Sequence, residues 1–212
     1  RDRDVIFIGN TKMILIGNTL FYQIFERGIR LDAIDIVKRV RIKFKVREIS
    51  SHVSMSINPS EFVAFVGGSG AGKSTFMKCI SGVDRPTSGT VLMNGENLYE
   101  NYENLKYNIG YVPQDDIVFS NLTLHDMLQY AAKLRMPDNT SKKERNQRIK
   151  EVLDIVSLTD FENSFIRQLS GGQRKRASIA VELLADPNLF FLDEPTSGLD
   201  PGTERSIMQT LR

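Results

Sequence analysis

Residues Gly67-Gly68-Ser69-Gly70-Ala71-Gly72-Lys73-Ser74-Thr75 fit G-x-x-x-x-G-K-[ST], a spacing that suits a phosphate group. Glycines let the backbone curl until successive N–H groups point inward at anionic oxygens. A helix expected to begin near Gly72 or Lys73 adds its positive dipole end to that nest. A flexible glycine turn before an ordinary helix is the plain alternative, but such a turn does not need Lys73 and Ser74 in that order. A second glycine-rich segment follows at Leu169-Ser170-Gly171-Gly172-Gln173, and a pair of carboxylates at Asp193-Glu194. Anion cradle, second cradle and carboxylate pair together describe phosphate chemistry.

These groups need elements to carry them. Phe62-Val63-Ala64-Phe65-Val66 is a short apolar run ending at glycines, which predicts a buried strand of a parallel sheet. Leu189-Phe190-Phe191-Leu192 predicts a second strand, buried on both faces and delivering Asp193 and Glu194 at its C-terminal edge. Taken alone, an apolar run before Asp-Glu is an ordinary strand ending at a polar loop. Thr90-Val91-Leu92-Met93 before Asn94-Gly95 is a hairpin signal. Residues 115–168 read as helical. Thr123 is placed to cap a helix whose face is Leu124, Met127, Leu128 and Ala131. Ser141-Lys142-Lys143-Glu144 fits a capping box ahead of Ile149, Val152, Leu153 and Val156. The cations Lys142, Lys143, Arg145, Arg148 and Lys150 read as a solvated helix face, with Glu144 spaced to pair with Arg148.

The phosphate loop and the pentapeptide, in this order, resemble the ATP-binding cassette family. Gly110-Tyr111-Val112-Pro113-Gln114 between them and Pro195-Thr196-Ser197-Gly198-Leu199-Asp200 after them match it too. The likeness runs from about residue 35 to the end. It implies an α/β phosphate-loop NTPase core with a parallel sheet, an N-terminal antiparallel β subdomain and an α-helical subdomain. It implies ATP and Mg²⁺ as cofactors. Residues 67–75 would hold the phosphates, with Lys73 reaching the β- and γ-phosphates, Ser74 ligating Mg²⁺ and Thr75 supporting the α-phosphate region. Asp193 would hold Mg²⁺ through water, Glu194 would deprotonate the attacking water, and Gln114 would touch the metal or that water. Ser170, Gly171, Gly172 and Gln173 would cap ATP bound to a second copy of the domain, and Asp200 would communicate across that head-to-tail pair.

Phe44 falls at the position of the family's adenine-stacking ring. The alternative is a core residue of a strand spanning Ile42 to Val46, where alternation is equally visible.

Asp193 through Asp200, with the basic triplet Arg174-Lys175-Arg176, look most like G-type exporters, including bacterial ones joined to a forkhead-associated domain. That likeness implies an ATPase coupled to a transmembrane domain, fused or separate, on the cytoplasmic face of a membrane. Residues 31–212 would be the cassette, with its helical subdomain at about 115–168. Residues 1–30 read as the end of a preceding β domain plus linker: Ile-Gly-Asn-Thr recurs at 8–11 and 16–19, as short strands joined by Gly-Asn turns. That piece loosely resembles the last strands of a forkhead-associated domain, without the loops that would read phosphothreonine.

Three departures from the family stand out. Ser60 occupies a usual glycine position, and Gly68 one where Pro or Asn is frequent. No histidine follows Glu194 within these 212 residues, whereas the family places a switch histidine about thirty residues beyond that glutamate. Residues 1–212 on their own are therefore expected to bind ATP but hydrolyse it feebly. Turnover at roughly 1–10 s⁻¹ in a phosphate-release assay would overturn that expectation.

A soluble cassette ATPase acting on nucleic acid or the ribosome is the competing reading. The span between Gln114 and Ser170 leaves no room for a long coiled coil, and the chain shows one phosphate loop rather than two. A phosphopeptide-binding module is a third, resting on residues 1–25 alone. A net charge of +2 gives no argument for nucleic acid, and none is expected as a partner. At 41% hydrophobic residues the chain can bury a sizeable core, yet no run of 18 apolar residues exists to cross a membrane. The lone Cys79 reads as a small buried hydrophobe, and His52 and His125 as structural or surface residues.

Overall fold

The computed structural model describes residues 5–8, 11–24, 28–115, 118–137, 139–197 and 201–210. It divides into two compact units, residues 1–105 and 106–212.

In the first unit, β1 (Val5–Ile8), β2 (Thr11–Ile16) and β3 (Thr19–Ile24) form an antiparallel three-stranded sheet. The Gly9-Asn10 turn expected in the first Ile-Gly-Asn-Thr copy lies outside the described residues. Ile16 pairs with Thr19, so the second copy spans a two-residue connection. Gly17 takes φ 60° there, the left-handed region that a tight hairpin needs.

β4 (Leu31–Ile42) and β5 (Lys45–Ile57) form a long hairpin. Leu31, Ala33, Ile36 and Val37 are buried while Asp35 is exposed. The odd-numbered inward face is interrupted at Asp35 because the register shifts between Ala33 and Ile36, a bulge that displaces the chain locally. Lys43 and Phe44 are the hairpin's turn, with Lys43 at φ 55° and Ile42 opposite Lys45.

After α1 (Lys73–Ile80) come β6 (Ser88–Met93) and β7 (Glu96–Asn97). The order β5-β4-β6-β7 completes an antiparallel sheet. Asn94 (φ 49°) and Gly95 (φ 81°) make the expected turn, since both central residues of such a hairpin must be left-handed. A short helix α2 (Tyr102–Leu105) ends the unit.

One expectation fails here. Residues 62–66 form no strand, and Phe62 and Val66 are 68% and 93% exposed. An apolar run becomes a strand only where a neighbour takes up its backbone N–H and C=O groups. Among the described residues no strand pairs with this one. Phe65 nevertheless packs edge-on against Phe76 of α1, centroids 5.7 Å apart.

The second unit holds β8 (Ile109–Val112), α3 (Leu124–Arg135), α4 (Lys142–Ile155), α5 (Gly171–Leu183), β9 (Leu189–Leu192) and α6 (Pro201–Thr210). β8 and β9 pair in parallel, Ile109 opposite Leu189 through Val112 opposite Leu192. Phe191 is buried, while Leu189, Phe190 and Leu192 are half-buried, so β9 is less enclosed than its composition predicts.

Both helix caps form as read. Thr123 Oγ1 accepts from Asp126 N at 3.1 Å, and Ser141 and Glu144 close a capping box. Leu124, Met127 and Leu128 of α3 meet Ile149, Val152 and Leu153 of α4 in one core with Ala177, Ile179 and Ala180 of α5. Ala132 rather than Ala131 is the fully buried alanine of α3. The predicted Glu144–Arg148 pair does not form. Glu144 spends its carboxylate on Ser141 N at 2.7 Å, and Arg148 donates to Leu183 O and Asp186 Oδ1 at 2.7 and 2.8 Å. A cap satisfies a backbone donor that would otherwise go unpaired, which outweighs the few tenths of a kcal/mol of an exposed i,i+4 pair.

A buried carboxylate braces this unit. Glu182 of α5 accepts from Arg135 Nη1 and Nη2 of α3 at 2.7 and 2.5 Å, and from Tyr111 N of β8 at 3.3 Å. Burial pushes its carboxyl above the ordinary carboxylate range, against the opposing pull of Arg135 and the backbone bond. We expect Arg135→Leu to destabilise the protein by roughly 2–3 kcal/mol in urea denaturation at pH 7. That lies below the fully buried-pair range because the Arg135 side chain is 36% exposed. A raised folded pKa means the neutral carboxyl is favoured at low pH and that stability is lost as pH rises through it. The loss in Arg135→Leu should therefore shrink on acidification toward pH 5. A loss independent of pH would put its origin in packing instead.

Candidate nucleotide site

The phosphate loop runs from Gly67 into α1, and its glycines are set by φ. Gly70 and Gly72 take φ 77° and 91°. Gly72 is also the N-cap of α1, where an added Cβ would lie 2.8 Å from Ile49 O. Only glycine satisfies both the left-handed angle and that close approach. Ala71 N donates to Gly68 O at 3.2 Å, closing a turn, and Phe76 N donates to Gly72 O at 2.8 Å, starting the helix. Lys73 Nζ folds back over the loop and donates to Gly67 O at 2.8 Å and Gly68 O at 3.1 Å. Ser69, Ala71 and the glycines up to Gly70 are exposed, and Ser74 and Thr75 are half-buried in the first turn of α1. Ser60 adopts φ 63°. The position where the family usually has glycine thus keeps a glycine-type backbone, carried here by a residue that pays about 1–2 kcal/mol for it. Phe44, at the tip of the β4–β5 hairpin, is 94% exposed. The strand-core reading of Phe44 is thereby overturned, because a two-residue turn lifts its ring off the sheet.

In the second unit, parallel pairing brings residues 80 apart together. Asp193 N donates to Val112 O at 2.9 Å, continuing the β8–β9 ladder past the strand ends. Just beyond the two strands, Gln114 Nε2 donates to Glu194 Oε2 at 3.0 Å. Glu194 is exposed, with φ 47°, a strained angle of the kind that collects at functional sites. Asp193 is 5% exposed, and Tyr111 Oη donates to its Oδ2 at 3.2 Å. Burial first, then the Asp193 carboxylate, pushes the Tyr111 phenol far above its ordinary value, so it remains a donor throughout the physiological range. Oxygen donors of this type suit a hard cation such as Mg²⁺.

Ser170 is the N-cap of α5. Its Oγ accepts from Gln173 N at 3.3 Å while Gln173 Oε1 accepts from Ser170 N at 2.8 Å. The two polar side chains of the pentapeptide therefore fix the start of the helix, leaving Gly171 exposed and Gly172 buried. The spacing Ser170-x-x-Gln173 is itself a capping-box signal in the sequence. Tyr111 and Lys175 were not singled out from sequence. An aromatic inside a strand and a lysine in a basic triplet carry no signal of their destination. Asp200 lies outside the described residues.

The chain belongs to the ABC transporter family, whose model matches residues 50–197. It is 40% identical over 214 residues to the ABC transporter ATP-binding/permease protein Rv1747 of Mycobacterium tuberculosis, covering 100% of this chain and 24% of that one. It is 39% identical over 173 residues to the broad substrate specificity ATP-binding cassette transporter ABCG2 of Bos taurus, covering 78% and 26%. G-family members are thus among its relatives, and the chain spans about a quarter of the length of these two. Among solved structures it resembles the dimeric bacterial ABC transporter cassette MJ0796, with TM-score 0.77 and 29% identity over 85% of this chain and 81% of that one. The fold is that of an ABC cassette, a phosphate-loop NTPase. Among the described residues no helix is long and apolar enough to cross a membrane.

Proposed function

We propose that this chain is the ATP-binding and ATP-hydrolysing part of an exporter-type ABC transporter. Two copies close head-to-tail around ATP, and hydrolysis releases them to move a membrane domain from its cytoplasmic side. The observation that carries this reading is the hydrogen bond from Gln114 to Glu194 beside the buried Asp193. It brings two carboxylates and a neutral amide together at the C-terminal edge of a parallel pair, the kind of edge where α/β sheets bind ligands. The exporter-type relatives and the dimeric MJ0796 cassette support the rest.

In the proposed site the amides of residues 67–72 and Lys73 hold the phosphates, Lys73 exchanging the Gly67 and Gly68 carbonyls for phosphate oxygens. Ser74 and Gln114 would offer oxygen to Mg²⁺ and Asp193 would hold it through water; when bound, the ion neutralises charge on the phosphates. Glu194 takes the proton of the attacking water, and Gln114 orients both. Ser170, Gly171, Gly172 and Gln173 cap the nucleotide of the other copy from the N-terminus of α5, where backbone N–H groups and the dipole favour an anion. Asp200 belongs to the same contact between copies.

Phe44 stacks on adenine in this reading. Phe44→Ala should raise the ATP Kd about 5- to 150-fold, by analogy with base stacking worth roughly 1–3 kcal/mol, while Phe44→Tyr should keep it. Equal affinity of all three forms in a fluorescent-nucleotide titration would remove the ring from the site. The function itself is tested by light scattering and phosphate release on the full-length protein. Mg-ATP should produce a dimer and Mg²⁺-dependent phosphate release, whereas absence of both would end the transporter-ATPase reading.

A further inference from the structure

Lys175 lies one turn into α5 and is 3% exposed. An ammonium is costly to bury unless hydrogen bonds compensate it. Here Nζ donates to Pro113 O at 3.0 Å and Gln114 O at 2.7 Å, two successive carbonyls of the segment leaving β8. A neutral side chain of that length offers no tripod of donors to gather both. Gln114 in turn spends its side-chain amide on Glu194. A continuous run of hydrogen bonds therefore leads from the helix that begins at Ser170 to the carboxylate of Glu194. Arg174 and Arg176, its neighbours in the basic triplet, are only half-buried, and Arg174 Nη1 donates back to Leu169 O at 2.7 Å. Of the three cations, Lys175 alone is fully buried.

We infer that Lys175 is a positioning residue, which sets Gln114 against Glu194 according to where the N-terminus of α5 stands. Any shift of α5 as Ser170 engages a nucleotide moves the Lys175 ammonium, and with it the two carbonyls and the Gln114 amide. The inference rests on the ATPase reading above and adds to it the route by which the pentapeptide acts on the base.

The test uses the full-length protein, comparing wild type, Lys175→Met, Gln114→Ala and the double variant by kcat and ATP Kd. Lys175→Met should lower kcat about tenfold with Kd held within about twofold, and the double variant should be no slower than the slower single one. Lys175→Gln, which keeps an N–H donor, should recover part of the rate. It also takes the place of Lys175→Met in the cycle if the methionine protein does not fold. Losses that multiply in the double variant, or a fall in kcat matched by equal weakening of Kd, would overturn the role of Lys175 while leaving the ATPase reading intact. A wild-type full-length protein that hydrolyses no ATP would overturn both.

Discussion

Lys73→Ala is expected to weaken ATP binding by roughly 10²- to 10⁴-fold. The ammonium would make two charge-assisted hydrogen bonds to the terminal phosphates, each worth about 1.5–3 kcal/mol. It sits where only a small movement is required, since Nζ is already folded over the loop onto Gly67 O and Gly68 O. Those same bonds give the variant a second consequence, a looser loop, so affinity alone does not isolate the phosphate contact. Isothermal titration with ATP and with adenosine separates the two effects. Loss confined to ATP marks the phosphate contact, and equal loss for both marks a collapsed loop. ATP affinity within threefold of wild type would exclude Lys73 from the phosphates.

Glu194→Gln is expected to leave ATP binding intact and lower hydrolysis by about 10²- to 10⁴-fold, the usual share of a positioned general base. The substitution keeps size and keeps an oxygen for Gln114 Nε2, which now reaches Glu194 Oε2 at 3.0 Å. The geometry thus survives while the proton acceptor is lost. With the base gone, ATP persists, and the pair of copies should accumulate as a dimer in Mg-ATP by light scattering. Single-turnover phosphate release in the full-length protein reads the chemical step directly. A rate within threefold of wild type would take the proton-transfer role away from Glu194, even if the dimer formed.

Much of this site was legible because its signals are local. The left-handed angles at Gly70 and Gly72, the start of α1 and the caps at Thr123 and Ser141 depend on residues within about one helical turn. Pattern and structure agree there. The Asn94-Gly95 hairpin and the β9 strand before Asp193 are local in the same sense. Local spacing fails where a longer-range partner competes. Glu144 and Arg148 have the right separation, yet the cap claims one and the carbonyl of Leu183 the other. Phe44 shows the same limit: alternation continued through it, but the β4–β5 register put the turn there.

The amino-acid sequence by itself determined which chemistry this protein carries, because glycine conformations, a phosphate-loop lysine and serine, and carboxylates after an apolar run are properties of short segments. Only the tertiary structure decided which of those groups meet. Gln114 joins Glu194 across 80 residues because β8 and β9 pair in one register. Lys175 sits buried under two carbonyls although it is written as the middle of a basic triplet. Phe62 and Val66 stand exposed although they are written as a strand. The reason is physical: backbone angles and caps are settled within a turn of chain, whereas ladders, ion pairs and burial depend on what distant segments supply.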